Sequence, residues 1–95
     1  KLKITVVVAE DFLLVTHGES LLDSIPSRDG AYDFETFGRK LTARRERIEI
    51  KDEAIVAVRD PVRFEHVIRV MDYCREAGFA RIGLSTATEE PASGT

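Results

Sequence analysis

Residues 54–86 read AIVAVRDPVRFEHVIRVMDYCREAGFARIGLST, and this stretch decides the fold. Its first five residues, 54–58, are all apolar, which predicts a strand covered on both faces. Apolar side chains then recur at helical spacing over residues 64–74, and Gly78 is typical of the residue that stops a helix. Residues 80–86 predict a second strand. Because a helix connects the two strands, we expect them to lie parallel in one sheet.

The helix within this stretch has a predicted start and a predicted buried face. Asp60 is placed to cap its N-terminus, and Pro61 is placed to occupy its first helical position. We expect Met71 to be buried between the helix and the sheet, whereas Asp72 lies on the charged side. The whole predicted apolar stripe consists of Phe64, Val67, Ile68, Met71 and Cys74.

The residues before this stretch predict two more strands and one more helix. Residues 3–9 and 12–16 are rich in strand-favouring side chains and are separated by two acidic residues, which predicts a hairpin. Residues 21–32 contain proline, aspartate and glycine and are interpreted as a loop. A first helix should begin after Asp33 as its N-cap. The expected buried stripe of that helix consists of Phe34, Phe37, Leu41 and Ile48.

These elements make a single small domain. The order β-β-α-β-α-β predicts an α/β protein of the α+β kind, a two-layer sandwich with two helices on one face of a mixed four-stranded sheet. The chain has 95 residues, 43% of them hydrophobic, which suffices for one domain that we place at residues 1–87. Residues 88–95 are mostly polar and contain proline and glycine, so we expect a flexible tail.

Charge and cysteine content leave two cellular settings open. The net charge is −3, with −4 over residues 1–38 and +3 over residues 39–81, whereas nucleic-acid-binding domains are usually strongly basic. The basic face from Arg39 to Arg47 still permits an alternative, a cytosolic nucleic-acid-binding α/β module. Cys74 is the only cysteine, so no intrachain disulfide can form, which suits either the cytosol or the periplasm.

No constellation typical of an active site emerges from the sequence. His17 and Glu19 could form a metal pair, but no third ligand has a fitting spacing. Ser20 lacks the pair of flanking glycines of a nucleophile elbow, and Cys74 belongs to an apolar helix face. His66 has no orienting carboxylate nearby in the sequence. We therefore predict no catalytic, metal or cofactor site and favour a binding domain that uses an exposed sheet edge, with an enzyme ranked last.

Residues 55–86 resemble the periplasmic domain of the ExbD/TolR family of biopolymer-transport proteins. In that family an apolar strand ends in an aspartate, an aromatic residue opens the next helix, and an Ala-Gly turn leads into a strand of Ile-Gly-Leu type. The matching positions here are Asp60, Phe64, Val70-Met71-Asp72, Ala77-Gly78 and Ile82-Gly83-Leu84. The N-terminal hairpin also fits the order of the family's elements.

The resemblance implies a role in a membrane complex. Family members carry one N-terminal membrane helix, which we expect upstream of Lys1, and act beside an ExbB/TolQ-like membrane subunit through which protons flow. The chain would be the periplasmic domain of a single-pass inner-membrane protein, a homodimer that engages peptidoglycan or a TonB/TolA-like transducer. No cofactor and no nucleic acid are expected. The residues expected to bind a partner or to form the family motif are Asp60, Pro61, Phe64, Met71, Asp72, Gly78, Ile82 and Leu84.

Overall fold

A computed structural model describes residues 3–47 and 52–86 of the chain, which form one sheet and two helices. In chain order the elements are β1 (Ile4–Val8), β2 (Phe12–His17), β3 (Ser20–Pro26), α1 (Phe34–Arg47), β4 (Glu53–Val58), α2 (Phe64–Glu76) and β5 (Arg81–Thr86). The prediction of an α+β fold is confirmed, but the sheet has five strands because residues 20–26 add one to the four predicted. Ile48 and the predicted tail at residues 88–95 lie outside the described residues.

The sheet is mixed and has the strand order β3-β2-β1-β4-β5. β1 pairs antiparallel with β2, and β2 pairs antiparallel with β3, as strands joined by short hairpin turns do. β4 pairs parallel with both β1 and β5. The predicted parallel arrangement of the two strands on either side of the second helix is therefore confirmed.

The prediction of a loop over residues 21–32 is wrong in its first half. A two-residue turn at residues 18–19 joins β2 to β3, and Gly18 takes the positive φ, 64°, that such turns favour. Pro26 is compatible with β3 because it lies at the end of an edge strand, where a missing N–H removes little from the ladder. The turn signals act only in the second half of the segment, where Gly30 has a φ of 80°.

Side chains from one face of the sheet form the core together with the two helices. The buried sheet residues are Ile4, Val6, Val8, Leu13, Val15, Ile25, Ala54 and Val56. In β4 burial alternates, since Ala54 and Val56 are buried whereas Ile55 and Ala57 are only partly buried. The prediction that this strand is covered on both faces is therefore wrong. The physical reason is that both helices pack on the same side of the sheet, and no described element covers the other side.

Asp33 caps α1 as predicted. Its Oδ1 accepts a hydrogen bond from the Thr36 backbone N–H at 3.2 Å, and its Oδ2 accepts one from the Thr36 hydroxyl at 2.8 Å. These bonds hold the pKa of Asp33 below its ordinary value because they stabilise the charged carboxylate. Phe37 and Leu41 are buried as expected, while Phe34 is partly buried and packs against the rim of the core.

α2 begins at Phe64, three residues after the predicted start at Pro61. Its N-cap is Arg63, which makes no side-chain capping hydrogen bond. Asp60 does not cap the helix, because its Oδ2 accepts a hydrogen bond from the Glu10 backbone N–H at 2.8 Å. Pro61 accordingly lies in the connection between β4 and α2. The role of Asp60 is thus to join two loops at one end of the sheet.

The buried face of α2 is rotated from the predicted one. Its buried residues are Val67, Val70 and Cys74. Phe64 and Ile68, which we expected in the core, are 67% and 40% exposed, and Met71 is only partly buried. The cause is the contact with α1, where the Tyr73 ring meets the Phe37 ring edge-on at 6.0 Å. Because α2 must face α1 as well as the sheet, the Tyr73 side of the helix turns inward.

The uncapped start of α2 predicts a stabilising substitution. Arg63 already has the extended backbone of an N-cap, with φ −68° and ψ 139°. The serine hydroxyl in Arg63→Ser can accept a hydrogen bond from a backbone N–H of the first helical turn. In urea titrations we therefore expect the free energy of unfolding of Arg63→Ser to be about 1 kcal/mol higher than that of Arg63→Ala. The ion pair with Glu65 that both variants lose joins two exposed side chains and contributes little. Equal stability of the two variants would contradict this capping position.

Candidate functional site

β5 forms one edge of the sheet, and among the described residues no strand pairs with its outer side. The other edge strand, β3, is less suited to accept a further strand. It ends in Pro26, a register shift interrupts its pairing with β2, and Arg44 binds its Asp23 at 3.0 Å. An edge without proline or bulge is the kind that can accept a strand from a partner. The open edge of this fold is therefore β5.

Apolar side chains flank the β5 edge. α2 packs over β4 and β5, and its Tyr73 faces α1. With 3.6 residues per turn, Phe64 lies about 180° around the helix from Tyr73, and Met71 lies about 160° from it. Because Tyr73 faces α1, these two side chains lie on the other side of α2, towards β5. Ile82 and Leu84 project from the helix-bearing face of β5, where Ile82 packs on the core and Leu84 is 50% exposed. We call Phe64, Met71, Ile82 and Leu84 the β5 strip.

Four of the predicted site residues therefore lie on β5 or on the side of α2 towards it, and the other four lie elsewhere. Asp60 binds the Glu10 backbone and lies beside Arg59 at 3.5 Å. Asp72 is on the exposed surface of α2 and accepts a hydrogen bond from Arg75 at 2.8 Å. Gly78 follows the C-terminus of α2 with a φ of 107°, as a helix stop requires. The remaining residue, Pro61, lines a cavity at the end of the sheet.

Asp60 makes the stability of the domain depend on pH. The hydrogen bond from the Glu10 N–H, helped by Arg59, lowers the pKa of Asp60 below its ordinary value of 3.8. A lowered pKa in the folded state gives a stabilisation that is present above the ordinary pKa and is lost as the pH falls through the folded value. We therefore expect Asp60→Asn to be less stable than wild type at pH 7. This difference in the free energy of unfolding should shrink as the pH falls below about 4.

Urea titrations from pH 7 to pH 2 measure this gap. Asp72→Asn is the matched control, because it removes the same charge from the exposed surface of a helix. A gap of constant size for Asp60→Asn over the whole range, or the same pH dependence in both variants, would contradict the role of the Glu10 contact.

A groove that the sequence did not predict runs along the N-terminal half of α2. Two adjoining cavities, of about 480 Å³ and about 670 Å³, share Ala31, Tyr32 and His66 in their walls. The first lies against Pro61 and the loop after β3, and the second lies against Ile68 and Arg69. We call this pair of cavities the α2 groove. No local signal marks it, because one wall comes from residues up to Phe34 and the other begins only at Pro61.

Stacked rings build one wall of the α2 groove. Tyr32 donates its hydroxyl hydrogen bond to the Ala9 carbonyl, and the His66 ring meets the Tyr32 ring edge-on at 5.2 Å. Burial, together with the nearby carboxylates, raises the pKa of Tyr32. The Phe34 ring stacks parallel on the Tyr73 ring at 5.7 Å. These contacts fix the aromatic wall in one arrangement.

Arg69 lies over this aromatic wall. Its guanidinium carbon is 4.6 Å from the centre of the Phe34 ring and 5.9 Å from that of the Tyr73 ring. Within residues 3–47 and 52–86 no carboxylate forms an ion pair with it. The rings hold the Arg69 side chain against the groove and leave its N–H groups for other acceptors.

The residues considered for catalysis and nucleic-acid binding are mostly buried in the core or held in ion pairs with neighbouring segments. Cys74 is buried in the core, and burial raises the pKa of its thiol to about 12, so the thiol stays protonated at neutral pH. No cluster of three metal-ligating side chains occurs within the described ranges. Arg44 and Arg45 bind Asp23 and Asp52 respectively, so part of the predicted basic face connects α1 to neighbouring segments. His17 has a buried Nε2 without a hydrogen-bond partner.

A mixed sheet with one open edge, flanked by exposed apolar side chains, is typical of a domain that binds other chains. Residues 1–89 match the family model of the biopolymer transport protein ExbD/TolR. The chain therefore belongs to the ExbD/TolR family, which confirms the resemblance found in residues 55–86, and its general role is that of a biopolymer-transport subunit. No curated protein matches the chain. Neither helix in the described part of the chain is long and apolar enough to cross a membrane.

Proposed function

We propose that the chain is the periplasmic domain of a subunit of an inner-membrane motor driven by the proton-motive force. Membership of the ExbD/TolR family supports this role. An ExbB/TolQ-like subunit would bind a membrane helix upstream of Lys1, and the domain itself would form a homodimer and engage peptidoglycan or a TonB/TolA-like transducer. Such a domain transmits force through contacts and needs no active site of its own.

The observation that carries the proposal is the open β5 edge with the β5 strip beside it. β5 pairs with β4 on one side, so half of its backbone N–H and C=O groups face outward. A strand from a second copy or from a partner would pair with these groups and would cover Leu84 and Phe64. These side chains are 50% and 67% exposed, which is the apolar surface that such a contact would remove from water.

The homodimer is tested by placing a charge in the β5 strip. We expect light scattering over a concentration series to give the wild type twice the chain mass of 10.7 kDa, and to give Leu84→Lys the mass of one chain. Leu21→Lys is the matched control, because Leu21 is a leucine on the opposite edge strand and is 59% exposed. A wild type that is monomeric at every concentration, or an equal effect of both substitutions, would overturn the proposed interface.

The membrane setting has its own test. The complete reading frame should encode one apolar helix with an acidic residue upstream of Lys1, and a cytosolic start directly before Lys1 would refute the motor role. Co-sedimentation with purified peptidoglycan then separates the two proposed partners. If the wild type sediments with peptidoglycan and Leu84→Lys does so less, the domain contacts the cell wall. If the wild type does not sediment with peptidoglycan, the transducer is the favoured partner.

A further inference from the structure

We propose that the α2 groove is a second docking surface, which binds an extended peptide segment of a partner protein through a carboxylate that pairs with Arg69. Arg69 is not part of the β5 strip, so this proposal does not depend on the interface proposed above. Arg69 and the rings lie on the side of α2 that carries Tyr73, whereas Ile68, at one end of the groove, lies one helical turn from Phe64 of the β5 strip.

The first argument is the size and lining of the groove. Its two adjoining cavities, of about 480 Å³ and about 670 Å³, fall in the range of ligand sites and share Ala31, Tyr32 and His66 in their walls. Val62 and Pro61 line one end, and Phe34 and Ile68 line the other. An extended peptide can place an apolar side chain at each end.

The second argument is charge complementarity. Arg69 projects beside the groove with no carboxylate partner among the described residues, while the acidic residue nearest to it in the wall, Glu65, is paired with Arg63 at 3.6 Å. The remaining titratable wall residues are Arg63 itself, Tyr32, His66 and, at the far end, Glu10. Arg69 is thus the wall cation without an ion-pair partner among the described residues, and its guanidinium can bind one carboxylate of a ligand with two parallel hydrogen bonds.

The third argument is that the site is formed in advance. The hydrogen bond from Tyr32 to the Ala9 carbonyl and the stacking of Phe34 on Tyr73 fix the wall. Arg69 is held over these rings, so little side-chain freedom remains to be lost on binding.

A peptide suits this groove better than a glycan or a membrane surface. In the cavity of about 670 Å³ the side chains of Ala31, Phe34 and Ile68 offer sugar hydroxyl groups no hydrogen bonds. An anionic membrane requires a cluster of cations, and the groove has acidic Glu10 and Glu65 in its walls.

The test uses the whole chain and a defined probe, a synthetic array of extended nine-residue peptides. Peptides that bind the wild type should be enriched in an aspartate or glutamate near an aromatic or aliphatic residue. Replacing that acid by its amide should weaken binding about tenfold, as expected for a charged hydrogen-bonded pair. The variant Arg69→Gln should lose this preference and bind the acid and amide peptides equally.

Arg75→Gln is the matched control, because it removes the same charge from the same helix outside the groove. It should retain the preference for the acid. Thermal melts of both variants check that they are folded. The proposal is overturned if the selected peptides lack an acidic residue, if Arg75→Gln has the same effect as Arg69→Gln, or if Arg69→Gln weakens binding only to chitin oligomers or to anionic phospholipid vesicles.

Discussion

The Val70→Asp variant is expected to be unfolded at room temperature and neutral pH. Val70 is fully buried on α2, and none of the described polar or charged residues is buried in the core around it. An aspartate there loses its hydration without gaining a cation or a hydrogen-bond donor, which costs several kcal/mol. A domain of this size has a total stability of roughly 5–15 kcal/mol. Far-UV circular dichroism should therefore show loss of the helix and strand signals together.

Ile68→Asp, two residues earlier on the same helix, is the matched control. Ile68 is 40% exposed, so the new carboxylate stays hydrated, and we expect a change of about 1 kcal/mol or less with the fold retained. The apolar spacing in the sequence predicts the opposite order, because it includes Ile68 in the buried stripe and leaves Val70 out. A folded Val70→Asp protein or an unfolded Ile68→Asp protein would contradict the observed orientation of α2.

Features with a short-range physical cause could be predicted from the sequence. The cap at Asp33 needs only the N–H groups of the next turn, and the helix stop at Gly78 needs only a positive φ. The parallel pairing of β4 and β5 follows from the helix between them, since a crossover of that length returns to the same sheet. The two-layer arrangement then follows from these elements.

Features that depend on contacts between distant segments could not be predicted. The rotation of α2 is set by α1, whose Phe37 meets Tyr73 across more than thirty residues of chain. β3 is an exception, because its partner β2 directly precedes it in the chain. Residues 20–26 pair with β2 across the turn at Gly18, and this pairing outweighs the loop tendency of Asp23 and Pro26. Asp60 leaves its expected capping position for the Glu10 N–H fifty residues away.

The same distinction applies to the candidate surfaces. The residues of the β5 strip could be predicted from the sequence, because Phe64, Met71, Ile82 and Leu84 all lie in the stretch 55–86 that resembles the family. The α2 groove was not, because Tyr32 and Phe34 come from the segment before α1 and meet His66 and Arg69 only in the folded chain. A cation over an aromatic ring has no signature in local sequence.

Gly38→Ala is expected to destabilise the domain, although alanine favours a helix over glycine by about 1 kcal/mol. Gly38 lies within α1, and a Cβ at this position would be 2.7 Å from Tyr73 Cδ1 and 2.9 Å from Cε1. The Tyr73 ring is stacked on Phe34 at 5.7 Å and meets Phe37 at 6.0 Å, so its withdrawal would disturb both ring contacts. We expect a net loss of about 1–3 kcal/mol in urea titrations, as is typical of an overpacked contact.

The same substitution should have the opposite sign once the ring is removed. In a Tyr73→Ala background the added methyl group loses both close contacts and meets no other atom nearer than 3.8 Å, so Gly38→Ala should stabilise the domain by up to about 1 kcal/mol through helix propensity alone. The double-mutant cycle therefore isolates the contact between Gly38 and Tyr73 from the behaviour of α1 itself. In the structure Gly38 is the point where Tyr73 of α2 approaches α1. Destabilisation of equal size in both backgrounds would show that the glycine serves the α1 backbone and not the approach of the two helices.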